Sequence, residues 1–197
     1  MTVHKGITSQ KRADKISKIL KYANQILNIE VEFVDQKKLG SDAGGYVAPK
    51  GQCKGKITIS NEYNGLTTIL ILLHEIGHHI DFLKRGYVED EDAAYQYYPD
   101  VRNTYCPLKH RRLIRSVENY AIKYAYELSI FLDLKLPALA YLKDEIYTKS
   151  SLELIFKNGP LNKDEMRKLK KKSKKQARLL LRTEYGNKKI LPLIKKS

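Results

Sequence analysis

The residues with chemistry in their spacing are His74-Glu75-Ile76-Gly77-His78. On an α-helix, residues four apart share a face, so both imidazoles can turn towards one metal ion. Glu75 follows the first histidine and can hold a water beside the metal without ligating it. Two histidines on zinc, with the intervening glutamate as general base, is the working arrangement of zinc hydrolases. The alternative is a buried helix that happens to carry polar groups.

These residues need a helix to carry them. Leu66 to Arg85 is apolar almost all round through Ile69, Leu70, Ile71, Leu72 and Leu73, so it should run through the interior. Gly86 is placed to end it as C′ residue. Unpartnered polar side chains there would cost several kcal/mol, on the order of the penalty for burying a polar group without a hydrogen bond. A metal removes that conflict.

A third ligand has to come from elsewhere. His110 to Asp133 carries an apolar stripe through Leu113, Ile114, Val117, Ala121, Tyr124, Ala125, Leu128 and Leu132. Glu118 falls on that stripe, and a carboxylate facing a core needs a partner. It is the leading third metal ligand, with Glu127, off the stripe, the weaker one. The competing role for Glu118 is an ion pair with Arg111, Arg112 or Arg115.

The remaining elements frame these two helices. Ile16, Ile19, Leu20, Ala23, Ile26 and Leu27 recur at helical spacing after a Thr8 or Ser9 cap. Ile29 to Val34 alternates apolar and acidic residues, a half-buried strand. Gly45 to Ala48 and Lys56 to Ser60 read as two short strands around turn residues, and the three together predict a small antiparallel sheet. Residues 86–109 hold Glu89-Asp90-Glu91-Asp92 and five tyrosines, and read as a loop flanking the site. Pro137 opens a helix to about Thr148, and Ser150 or Ser151 caps a short one ending near Asn158. Asn162 caps the last helix, acidic first and basic thereafter. The fold class is α+β, with a mostly helical C-terminal part.

Composition narrows the setting. The 197 residues carry a net charge of +15, with Lys and Arg concentrated towards the C-terminus. Domain limits are expected at 1–149 for the body and 150–197 for a basic helical extension. The Lys/Arg-rich segment 163–197 suits an anionic partner, nucleic acid or an acidic protein surface, or else a solvated helix face. Cys53 and Cys106 form neither a disulfide framework nor a CxxC pair, which fits a reducing cytoplasm. The N-terminus lacks the apolar run of a secretory signal. The run Ile69 to Leu73 is too short to span a bilayer, so no membrane role is expected.

Glu118-Asn119-Tyr120-Ala121-Ile122-Lys123-Tyr124-Ala125-Tyr126-Glu127-Leu128 has the form E-x-x-A-x-x-aromatic-A-x-x-L. With His74-Glu75-Ile76-Gly77-His78, it resembles the ImmA/IrrE family of zinc metallopeptidases, which are gluzincins. The resemblance covers roughly residues 10–140. It implies a zincin-like fold, Zn2+ held by His74, His78 and Glu118, and Glu75 as catalytic base for cleaving a protein or peptide substrate. Family members are often encoded on phages or mobile elements, and some cleave repressors of the helix-turn-helix type. The long tyrosine- and acid-rich segment between the motifs and the basic C-terminal segment depart from the family pattern.

An oxyanion donor has six candidates: Tyr87, Tyr95, Tyr97, Tyr98, Arg102 and His110. His79 faces another side of the helix and is expected to be supporting or structural. The substrate is expected to add as a strand at an edge made by Lys56 to Ser60. Two other readings compete. One is a zinc-stabilised nucleic-acid-binding protein using the basic segment. The other is a relative whose metal is purely structural, for which no good fourth ligand is evident.

Overall fold

The computed structural model describes residues 10–40, 42–50, 52–63, 65–86, 107–159 and 161–182. In chain order these form α1 (Gln10–Gln25), β1 (Glu30–Val34), α2 (Gln36–Leu39), β2 (Gly44–Val47), β3 (Lys56–Ser60) and α3 (Gly65–Arg85). Then follow α4 (Leu108–Phe131), α5 (Ala138–Asn158) and α6 (Lys163–Leu181). The class is α+β, mostly helical with one small sheet. No helix among the described residues is long and apolar enough to cross a membrane.

The Thr8 and Ser9 cap lies outside the described residues, and so does the segment 87–106. The helix α1 buries Ile16, Ile19 and Ala23 of the expected stripe; Leu20 is half-buried, and Ile26 and Leu27 lie beyond the helix end, with Ile26 exposed. Asn28 ends it in the left-handed region at φ 53°, which asparagine tolerates better than most residues. The chain then enters β1.

The sheet has the order β1-β3-β2. β2 and β3 are antiparallel, but β1 and β3 run parallel, with Val31 opposite Ile57 and Phe33 opposite Ile59. The expectation of an all-antiparallel sheet is therefore corrected to a mixed one. Parallel neighbours need a crossover of a dozen or more residues. Residues 35–55, containing α2 and β2, supply it. Residues 48–55, with a Lys50–Cys53 bridge, join β2 to the antiparallel β3. Ile57 and Ile59 on the middle strand are fully buried.

The helix α3 is central to its unit. Ile69, Leu72, Leu73 and Ile76 are essentially inaccessible to solvent. Each such side chain contributes about 1.5–3 kcal/mol on burial. Gly86 follows the helix at φ 77° and its N–H donates to the Phe82 carbonyl at 2.7 Å, the expected C-terminal stop.

The helix α5 runs unbroken where two helices were expected. The Ser151 hydroxyl donates to the Thr148 carbonyl at 2.8 Å, so its polar group is satisfied inside the helix instead of capping a new one. The expected boundary at 149/150 falls inside this helix. Two compact units are seen, Met1–Gly86 with Tyr120–Leu134, and Tyr87–Asn119 with Lys135–Ser197. In the second unit, Ile114 packs with Leu152 and Phe156, and Leu142 with Ala177. Asn162 caps α6 as expected. It accepts from the N–H groups of Asp164 and Glu165, while the Glu165 carboxylate accepts from the Asn162 N–H.

Candidate metal centre

His74 and His78 sit on successive turns of α3 with their Nε2 atoms 3.1 Å apart and their rings nearly perpendicular. A tetrahedral ion with metal–nitrogen bonds of about 2.0–2.1 Å would separate its nitrogen ligands by roughly 3.3 Å. The two imidazoles therefore stand at the spacing of one tetrahedral edge.

Gly77 determines what can approach them. A side chain at Gly77 would place its Cβ 2.2 Å from the Ala121 carbonyl oxygen and 3.0 Å from the Ala121 Cα. The backbones of α3 and α4 meet there because glycine leaves no bulk between them. Glu118 lies one turn before Ala121 on the same continuous helix. One ligand atom from each of His74, His78 and Glu118 lies within 4.8 Å of the other two. Glu118 is 8% exposed. Such a carboxylate is costly to bury without a charged or hydrogen-bonding partner. Two neutral imidazoles and a carboxylate are a donor set that zinc and other first-row divalent ions accept. The group can hold a metal ion.

Some of the rival partners for Glu118 are engaged or placed elsewhere. Arg115 gives its guanidinium to Glu153 in a two-pronged ion pair at 2.6 and 2.8 Å. Arg112 is exposed. Glu127, the alternative ligand, is exposed and lies 3.9 Å from Lys123 on its own helix.

Glu75 is 8% exposed and packs under β2. A Cβ on Gly44 would lie 3.0 Å from Glu75 Oε1 and 2.7 Å from Ile71 Cγ2. The bare backbone of β2 thus makes room for this carboxylate.

The next turn of the helix is also buried. His79 is 2% exposed. Its Nδ1 is 3.0 Å from the Tyr46 hydroxyl, and Tyr46 lies nearly parallel to the His78 ring with centroids 6.4 Å apart. Burial holds the His79 imidazole below the usual histidine range, with the Leu27 backbone acting in the opposite direction. Burial likewise pushes the Tyr46 phenol upward, so it stays protonated and can donate to His79. Asp81, 2% exposed, is answered by the guanidinium of Arg85 one turn on, with Nε to Oδ1 at 2.7 Å.

Among the six oxyanion candidates, His110 is on the first turn of α4 and half-buried. Tyr87, Tyr95, Tyr97, Tyr98 and Arg102 lie outside the described residues. The expected supporting role of His79 gains a named partner, Tyr46. Tyr46, Gly44 and Gly77 were not anticipated. Signals existed for the glycines: mid-helix glycine costs about 1 kcal/mol relative to alanine, and strand glycine often marks a close approach. Nothing local marked Tyr46.

No protein-family model, no curated protein and no solved structure matches this chain.

Proposed function

We propose that the chain is a zinc-dependent metallopeptidase of the zincin type, in keeping with its resemblance to the ImmA/IrrE family. The observation that carries this reading is the convergence of His74, His78 and Glu118 with a second buried carboxylate, Glu75, next in sequence to a ligand. Among the described residues no fourth side chain joins the group. Three protein ligands leave a coordination position open, the mark of catalytic rather than structural zinc sites. That is also why the purely structural reading is less favoured.

When bound, zinc would polarise the scissile carbonyl and make water acidic enough to attack near neutral pH. His74, His78 and Glu118 would hold the ion. Glu75 would take the proton from the attacking water on one carboxylate oxygen and deliver it to the leaving amine. Its burial under β2 keeps competing solvent from that carboxylate. Tyr46, hydrogen bonded to His79 and alongside the His78 ring, would hold the ligand helix against the sheet.

An extended substrate cannot add at Lys56 to Ser60, because β3 is the middle strand and its ladder is used on both sides. That expectation is corrected. The edge beside Glu75 is β2, and a peptide adding there would pass over Gly44 and Gly45. The substrate would be a protein segment in extended form, with a regulatory protein such as a repressor as the class the family resemblance suggests. A reducing cytoplasm would suit cysteines that form neither a disulfide framework nor a CxxC pair.

The test is metal analysis paired with mass spectrometry of new termini in a peptide library. Glu75→Gln should retain metal and fold while losing at least about 100-fold in hydrolysis, the scale of a lost general base. Glu118→Ala should lose both metal and hydrolysis. Full hydrolysis by Glu75→Gln, or unchanged metal in Glu118→Ala, overturns the proposal.

A further inference from the structure

The helix α6 buries a thin stripe, Leu169, Ser173 and Ala177, one residue per turn. Leu142 of α5 packs against Ala177, with Leu180 and Leu181 half-buried beside them. Every Lys and Arg of the helix is exposed: Lys163, Arg167, Lys168, Lys170, Lys171, Lys172, Lys174, Lys175 and Arg178, with Arg182 just beyond. At 100° per residue these basic groups cover roughly 200° of the helix surface, centred opposite the buried stripe. Lys168, Lys171, Lys175, Arg178 and Arg182 form the outermost ridge, one cation for each turn of about 5.4 Å. The acidic residues of the helix, Asp164 and Glu165, are confined to the first turn, where Glu165 is used in the cap. Lys168, Lys171, Lys172, Lys174 and Lys175 make no ion pair among the described residues.

We infer that this face of α6 is a binding surface for the phosphate backbone of duplex DNA, without sequence preference. A row of unneutralised cations at one per turn concentrates positive potential along a rod. Its natural counterpart is a regular line of phosphates, whose condensed counterions are released on binding. Three features of α6 argue against other polyanions. A membrane-surface helix needs an exposed apolar face to insert, and here the stripe is buried against α5, with Leu179 the exposed large apolar residue of the helix. Single-stranded nucleic acid is held by stacking on aromatic side chains, and α6 has none. An acidic protein surface seldom offers carboxylates in a long regular line, whereas this ridge repeats one cation per turn of about 5.4 Å along a straight rod. Contacts of this kind go to phosphates, which carry no sequence information, hence the lack of sequence preference. The surface is independent of the metal centre.

The experiment is fluorescence anisotropy with the full chain and a 30-bp DNA duplex of arbitrary sequence, across a salt series. Three phosphate contacts would give a log–log slope near −2.7, so affinity should fall roughly 40-fold between 50 and 200 mM salt. Lys168→Gln/Lys171→Gln/Lys175→Gln should remove most of that slope. A matched control, Lys11→Gln/Lys18→Gln/Lys21→Gln on the exposed side of α1, should keep it. Circular dichroism and Tm should be unchanged in both, since glutamine is a good helix former. Glu75→Gln should bind DNA as the wild type does, whatever its effect on hydrolysis. Three results overturn the inference. One is duplex binding that is absent or independent of salt. The second is equal loss in the α1 control, which would reduce the effect to net charge. The third is tighter binding to phosphatidylserine vesicles or polyglutamate than to the duplex at the same salt.

Discussion

The helices α3 and α6 are of similar length and both carry many polar groups, yet they treat charge in opposite ways. In α3 the polar residues lie inside: Glu75, His79 and Asp81 are buried among Ile69, Leu72, Leu73 and Ile76. In α6 the lysines and arginines lie outside, and the interior takes only Leu169, Ser173 and Ala177. Burying a charge costs several kcal/mol unless it is answered, so a charged group inside α3 needs a specific partner. Asp81 has Arg85, His79 has Tyr46, and the His74–His78 pair has Glu118 within reach. An exposed cation costs folding almost nothing, so α6 is free to be patterned for an outside partner. A buried charge thus points to a site within the fold, and an unneutralised exposed row points to a surface.

The contrast can be broken most forcefully at Gly77. Gly77→Ala would set a Cβ 2.2 Å from a backbone carbonyl oxygen, which cannot swing aside as a side chain can. The two helices must separate. We expect a loss of about 3 kcal/mol or more, at the upper end for overpacking, together with loss of metal. Urea unfolding with metal analysis measures both. A stability loss below about 1 kcal/mol would mean that the helices are not in contact there.

Gly44→Ala tests the same idea more gently. Its Cβ would meet Ile71 and Glu75, both movable side chains. A stability loss of about 1–2 kcal/mol is expected, within the range for overpacking. Hydrolysis should fall further than metal content does, because Glu75 is displaced while the ligands are not. Equal losses in the two readouts would remove Gly44 from any role in seating Glu75.

His79 gives a smaller, pH-dependent effect. Its pKa in the folded chain is depressed below the reference value of 6.5, so the unfolded chain binds the proton more readily. Its contribution to stability is intact above about pH 6.5 and is lost as the pH falls from there through the depressed folded value. Unfolding between pH 7.5 and 5, with a chelator present, should show a steeper loss for wild type than for His79→Gln. Matching slopes would mean the ring is not held neutral by the fold. Smallest of all, Lys168→Gln/Lys171→Gln/Lys175→Gln should change stability by no more than about 0.5 kcal/mol, the ordinary scale for exposed positions. A larger loss would show that α6 spends its charge on folding after all.

Local pattern accounts for much of this molecule. The helical stripes of α1, α3 and α4 were legible because apolar residues recur at the helical period and the core takes that face. Asn162 with Glu165 announced the start of α6, since a capping box is a contact between near neighbours. The division of α5 into two helices was misread because Ser150 and Ser151 resemble a cap. A serine hydroxyl satisfied by the carbonyl three residues back leaves no trace in the pattern. His74, Glu75, His78 and Glu118 were legible for a related reason: ligands four apart need only a helix, and a carboxylate on an apolar stripe advertises an unmet need.

By itself, then, the sequence determined which residues could hold a metal and which helices carry them, because helical periodicity is a local property. The tertiary structure alone decided the strand order β1-β3-β2, the parallel pairing of β1 with β3 and hence which edge lies over Glu75. It alone decided that Gly77 admits the Ala121 backbone and that Tyr46 meets His79. Those are contacts between residues 33 to 44 positions apart along the chain, roughly. Their choice depends on which backbones can approach without a side chain between them, and no local pattern records that.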